Sequence, residues 1–397
     1  MQHLRRINNK FVKRRRFIPA SFFVIISGKK VCEVIYMEIK DYGKEYGRIT
    51  RELLSKLDKK NAGKNVIISP MSIIMLLGIL AESVAGETRD EVIKVLGEKL
   101  SYEDVRDILS KIQEDSMKTE SLLSSYAVCV KEDIKDSILP NYVERLAKVY
   151  DGRLFASSDM ARDVNAWVEE MTRGMIRNAA GDSLDNIVAC LMNAIAFEAE
   201  WEDLYEEKDI YEEKFYNEDG SVVNVDMLHS SEYGWIEDEC LTGFIKPYKD
   251  EKYAFMALLP KEETDINKVI ESVDFSEFFA NAEDEKVTVT MPEYKYDFGQ
   301  DLTEICKELG IKSAFTPGAD FSAMSTAWLR LDSIIHKAHI EVDRHGTKAV
   351  AVTMGMVMCG CAPIMKRREV ILDRPFIYAI MDAETKLPIF TGVYKKA

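Results

Sequence analysis

The spacing of apolar residues changes part-way along the chain, and this change limits the fold more than any other feature. In the first third, "TRDEVIKVLG" and "SYEDVRDILSKIQEDS" carry apolar side chains three and four residues apart, the spacing of one helical face, and "SPMSIIMLLGILAESVAGET" reads as a helix from its end signals. Ser69 reads as an N-cap, Pro70 as the first helical residue and Gly86 as lying past the helix end. From about residue 187 onward, strand-like runs dominate: "IVACLMNAIAF", "YAFMALLP", "KVTVTMP", "IIHKAHIEV" and "EVILDRPFIYAIM". Helices recur among them at "FSEFFANA" and "LTEICKELG". Helices followed by mixed strands, without regular βαβ alternation, predict an α+β fold. No repeat, low-complexity tract or Pro/Gly-rich linker divides the sequence.

A chain of 397 residues with 47% hydrophobic content can bury a large core. Its formal charge of -15 argues against sequence-independent binding of nucleic acid, which needs Lys and Arg to displace counterions. No apolar run reaches the roughly 20 residues that span a bilayer, so no membrane partner is expected.

Residues 1–36 stand apart. They hold nine Lys or Arg and one acid, Glu33; without them 44 bases face 67 acids, a charge of -23. In one reading this basic stretch and "FIPASFFVIISG" form an export signal. The apolar part is only twelve residues, contains Pro19 and ends in Lys29 and Lys30 instead of a small-residue cleavage site. In the other reading translation begins at Met37, because Glu33-Val34 can be encoded GAG GTG, a purine-rich sequence at the spacing a bacterial ribosome favours. The first reading makes the protein extracellular, the second cytoplasmic.

The sequence lacks G-x-S-x-G, H-E-x-x-H, a P-loop and G-x-G-x-x-G. His336 and His339 stand in "HKAH", whose flanks read as a strand, so the two rings point to opposite faces and form no metal pair. Cys359-Gly360-Cys361 has neither the further ligands of a soft-metal site nor an orienting base for a nucleophile. No catalytic role, metal or cofactor is therefore expected. The seven cysteines are odd in number and irregularly spaced, which is no disulfide framework. Cys129, Cys190 and Cys306 read as small buried hydrophobes. The acidic stretch near residues 193–220 matches no calcium loop and reads as a solvated face.

Several blocks, in order, resemble the serpin family from roughly residue 45 to the end. "NVIISPMSI" followed by "AGET" resembles its helix-B block, and "NAIAFEAEW" its N-A-x-x-F-x-x-x-W strand. "KPYKDEKYAFMALLP", "LGIKSAF…ADFS", "HKAHIEVDRHGTKA" and "DRPFIYAIMDAETKLPIFTGV" are similar to four further family signatures. The resemblance implies one domain over residues 37–397, of about nine helices and three β-sheets, with an exposed reactive loop over about 344–368. It also implies inhibition of a serine protease by a suicide-substrate route, in which the cleaved loop enters the large sheet as a new strand. The expected partner is that protease, held as a covalent acyl complex. The free protein is expected to be a monomer at risk of loop-sheet polymers. No heparin binding is expected, since "SYEDVRDILSKIQEDSMKTE" is mostly acidic.

Residue roles follow from the same resemblance. Gly346 takes the fifteenth position before the scissile bond, which places that bond at Gly360–Cys361, with Met358 or Cys359 as alternative donors. Gly346, Thr347, Ala349, Ala351 and Thr353 form the hinge; the last four are the small inward-facing positions of an insertable strand. Ser69, Ser72, Asn193 and His336 match the shutter, a polar latch beneath the central strands. Trp201, Glu293 and Arg344 match the breach, where insertion begins. Many serpins carry Lys and Glu where this chain has Glu293 and Arg344, so an ion pair of swapped polarity is expected. "VMCG" suits elastase-like or subtilisin-like proteases. Lys366, Arg367 and Arg368 lie too far downstream to be the bait. Two alternatives accompany this reading: a non-inhibitory carrier or chaperone, and inhibition of papain-like cysteine proteases. Redox tuning through Cys359 and Cys361 is a further expectation.

Overall fold

The computed structural model describes residues 31–177, 187–332, 334–347 and 368–397. Nine α-helices occur among them: α1 (Val31–Lys60), α2 (Pro70–Ser83), α3 (Gly86–Leu96), α4 (Tyr102–Ser116), α5 (Pro140–Tyr150), α6 (Met160–Met171), α7 (Ile266–Ser272), α8 (Phe275–Asn281) and α9 (Thr303–Leu309). α1 runs across the boundary expected at residue 37.

The strands are β1 (Val66–Ile68), β2 (Leu122–Lys131), β3 (Arg153–Ser157), β4 (Ala189–Phe197), β5 (Ala199–Glu200), β6 (Ile210–Tyr216), β7 (Val222–Glu237) and β8 (Leu241–Pro247), continuing with β9 (Tyr253–Pro260), β10 (Glu283–Pro292), β11 (Tyr294–Asp301), β12 (Ile335–Val342), β13 (Gly346–Thr347), β14 (Arg368–Ile371), β15 (Phe376–Asp382) and β16 (Pro388–Tyr394). They form three sheets. Nine strands follow the order β1-β16-β15-β9-β8-β7-β10-β14, with β6 on β7; four follow β11-β12-β13-β5; three follow β3-β2-β4.

α2 holds the molecule together. Every one of its residues is buried, as expected of a helix apolar all round. The Ser69 hydroxyl caps it by accepting from the Ser72 amide, and Pro70 costs no hydrogen bond at the first position. The helix ends at Ser83, and Gly86, with φ of 52°, opens α3. That is the break the Gly signalled.

The strands differ from the sequence expectation in two places. β2 lies within the first third, read as mainly helical, and is buried on both faces. Tyr126, Val128 and Val130 join the main core, while Ala127 and Cys129 join a smaller cluster beneath α6. A strand covered on both faces loses the alternation that identifies it. "EVILDRPFIYAIM" is two strands, not one: pairing stops between Ile371 and Phe376, where Pro375 offers no amide hydrogen.

Candidate functional site

The site lies where the four-stranded and three-stranded sheets meet. β4 and β12 are neighbours, yet they belong to separate ladders, β12 pairing with β11 and β4 with β2. At one end of this seam β13 bridges the gap. Thr347 pairs with Val342 on one side and Ala199 on the other, and Gly346 pairs with Glu200. A Cβ at Gly346 would sit 2.0 Å from the Ala199 carbonyl oxygen, so only glycine lets the backbone approach this closely. Thr347 is buried, and its hydroxyl lies 2.6 Å from the Tyr248 hydroxyl.

Trp201 anchors the turn that feeds β13. It is fully buried and stacks on Tyr248 with centroids 4.6 Å apart. Its Nε1 donates to the Asp343 carbonyl (2.8 Å), and its amide donates to that of His345 (3.0 Å). The Asp343 carboxylate accepts from the amides of His345 and Gly346 at 2.7 and 3.0 Å, an Asx turn that redirects the chain.

Between them Arg344 points outward to Glu293. Its Nε donates to Glu293 Oε1 (2.9 Å) and one terminal nitrogen to Oε2 (3.1 Å), while the Arg344 amide also donates to Oε1 (2.9 Å). The other terminal nitrogen reaches Glu207 Oε1 at 2.9 Å, and Asp226 stands 3.9 Å from the terminal nitrogen hydrogen-bonded to Glu293. The hydrogen bonds to Glu293 push the Arg344 pKa up. Both side chains of the main pair are partly buried, at 27% and 20% exposed.

Beneath the aromatic pair lies an ion pair that the sequence did not signal. Lys246 Nζ donates to Glu232 Oε1 at 2.7 Å, with both side chains buried, and sits 4.6 Å from the Tyr205 ring centroid and 5.4 Å from that of Trp201. Burial alone would lower the Lys246 pKa, but the Glu232 charge reverses this and the net shift is upward.

At the level of α2, Ser69, Ser72, Asn193 and His336 form one connected network. The Ser72 hydroxyl donates to Asn193 Oδ1, and the Asn193 amide group donates to the Ser125 carbonyl at 3.3 Å. The Ser69 hydroxyl donates to the Ile389 carbonyl (2.8 Å), and the Ser69 amide donates to His336 Nε2 (3.4 Å). Because a backbone amide can only donate, Nε2 accepts and the ring is neutral. Burial pushes the His336 pKa down to about 4. Across β12, His339 faces the other way and meets Asp297 at 2.6 Å, so the two rings diverge as the strand reading predicts.

The structure therefore brings Trp201, Glu293, Arg344, Gly346 and Thr347 together at one end of the seam, and Ser69, Ser72, Asn193 and His336 farther along it. Ala349, Ala351, Thr353, Met358, Cys359, Gly360 and Cys361 lie outside the described residues. Tyr248, Asp343, Glu207 and the Lys246–Glu232 pair join the site only through contacts made by folding. Lys246 and Tyr248 lie in a stretch the sequence singled out, the "KPY" at the end of β8, and nothing there signalled their partners. Among the described residues no group of three His, Cys, Asp or Glu side chains could hold a metal ion. No helix among them is long and apolar enough to cross a membrane.

Comparison with known proteins agrees with this geometry. Residues 44–396 match the family model "Serpin (serine protease inhibitor)". A serpin-like protein of Thermococcus kodakarensis is 28% identical over 355 residues, covering 85% of this chain and 82% of its own length. Leukocyte elastase inhibitor of Sus scrofa is 26% identical over 372 residues, covering 87% and 96%. The thermophilic serpin tengpin in its native state superposes with a TM-score of 0.81 at 31% identity, covering 94% of this chain and 96% of its own. For tengpin in its latent state the TM-score is 0.75. With the family model matching nearly the whole chain, the protein belongs to the serpins.

Proposed function

We propose that this chain inhibits serine endopeptidases as a suicide substrate. The target cleaves the loop between β13 and β14 and becomes an acyl-enzyme. The freed loop then enters the seam between β4 and β12, and the displaced, distorted protease stays trapped. The single observation that carries this reading is β13: Gly346 and Thr347 already pair with both lips of a seam along which, among the described residues, β4 and β12 are not paired with each other.

The energetics support irreversibility. A new central strand adds on the order of ten backbone hydrogen bonds, each worth roughly 0.5–1.5 kcal/mol net. That sum rivals a whole domain's stability of about 5–15 kcal/mol, so the uncleaved form is held kinetically. The count from Gly346 puts the scissile bond at Gly360–Cys361, and the uncharged "VMCG" favours elastase-like or subtilisin-like enzymes. The same seam accepts a loop from a second copy, which is the route to loop-sheet polymers.

Incubation with elastase-, subtilisin-, chymotrypsin- and papain-like proteases tests the proposal. The expected result is an SDS-stable complex with one of the first two, and a released peptide beginning at Cys361. Cleavage without any complex would assign the chain to the non-inhibitory serpins.

A further inference from the structure

Cys129 and Cys190 stand directly opposite each other on the antiparallel strands β2 and β4. Both side chains point to the face covered by α6, where they pack with Ala127, Met192, Met160 and Val164. Both are buried, and both are free thiols in this structure. The Lys131 amide donates to the Val188 carbonyl at 2.9 Å two residues along. That places Cys129 and Cys190 in a hydrogen-bonded cross-strand pair, with Cα atoms about 5.5 Å apart. This lies inside the roughly 4.4–6.8 Å range that a disulfide spans.

We propose that Cys129 and Cys190 are a guarded dithiol, which a small disulfide such as oxidised glutathione converts to a reversible cross-strand disulfide whenever α6 lifts from the sheet. The guard is physical. α6 and its Met160 and Val164 cover the pair, and burial pushes both thiols up to about 12, so the sealed pair holds almost no thiolate at neutral pH. Lifting one helix from a small cluster is a local opening, cheaper than global unfolding.

Once exposed, one thiolate attacks the reagent, expels one small thiol and leaves a mixed disulfide. The second cysteine then attacks the protein sulfur of that mixed disulfide and expels the second small thiol. The two cysteine protons end on the two released thiols; the chain loses two electrons and the reagent gains them. In a hydrogen-bonded pair the Cβ atoms must draw closer, from about 4.5–5.5 Å to about 3.5–4.5 Å. The bond is therefore strained and easily reduced, a switch instead of a staple. It ties β2 to β4, the strand that borders the seam, and closes a covalent loop that contains α6.

The test exposes the full chain to oxidised glutathione at about pH 8, blocks remaining thiols and maps peptides without reduction. The expected product is a Cys129–Cys190 cross-linked peptide, lost on adding dithiothreitol. In the wild-type chain its rate should level off as glutathione disulfide rises, because helix lifting becomes limiting. Val164→Ala, which thins the cover, should raise the plateau about tenfold. Recovery of both cysteines blocked as free thiols would overturn the proposal, as would separate glutathione adducts without a cross-link. A rate proportional to reagent at every concentration in the wild-type chain would overturn the guard, whatever the fate of the variant.

Discussion

Arg344 grips Glu293 with three hydrogen bonds, two from its guanidinium and one from its own backbone amide. The pair fixes the chain two residues before the backbone enters the seam at Gly346 and Thr347. Its polarity is opposite to the one the family resemblance leads one to expect, with the cation on the turn before β13 and the anion between β10 and β11.

Reversing either charge should destabilise this corner. Arg344→Glu sets a carboxylate against Glu293 and Glu207, at a cost of about 2 kcal/mol for a partly buried charge-assisted pair. It should also slow inhibition and promote polymers on native gels. Arg344→Glu with Glu293→Arg should recover only part of the loss, because Glu207 and Asp226 still face residue 344. Full recovery would mean that Glu207 contributes nothing.

The hinge tolerates little. Thr347 is 2% exposed and hydrogen-bonds Tyr248, so Thr347→Arg buries a charge where the loop must enter. The expected outcome, read by SDS gel, is conversion from inhibitor to substrate, with cleavage retained and complex lost. Gly346→Ala should act in the same direction, since its methyl meets the Ala199 carbonyl.

The network at His336 makes stability depend on pH. The folded-state pKa, about 4, lies below the ordinary value of 6.5, so between these values the unfolded chain binds more protons. The contribution is complete above pH 6.5 and is lost as pH falls toward 4, on the order of 3 kcal/mol in all. Denaturant unfolding at a series of pH values should show this loss in the wild-type chain. It should be much smaller in His336→Gln, which keeps a polar side chain but does not titrate.

The far end of the loop is clamped as well. Arg368 on β14 reaches Glu283 at 2.6 Å and Glu285 at 3.1 Å and lies over Trp235, while β14 pairs parallel to β10. An uncleaved loop can fill the seam only if β14 lets go. Arg368→Ala should therefore hasten spontaneous loss of inhibitory activity on warming by a few fold, about 1 kcal/mol off the barrier. Unchanged decay would place the restraint elsewhere.

The sequence was most informative where a local rule decides the outcome. The Ser69-Pro70 start of α2, the break at Gly86 and the opposed faces of His336 and His339 all follow from capping, backbone freedom and strand alternation. The Arg344–Glu293 pairing was legible because two charges depart together from a family pattern. The Tyr248–Thr347 contact was not, since the two residues are 99 positions apart and neither is unusual for its type. The Lys246–Glu232 pair was hidden for a different reason: on paper both look like solvated charges, and only the fold places them under Trp201.

Under the proposed mechanism the chain after Thr347 becomes a strand between β4 and β12. A crystal structure of the loop-cleaved chain measures this directly. In that structure the residues following Thr347 should continue β13 down the seam, pairing with β4 on one side and β12 on the other, with Ala349, Ala351 and Thr353 facing inward. A cleaved loop lying outside the sheet, with β4 and β12 still unpaired, would contradict it.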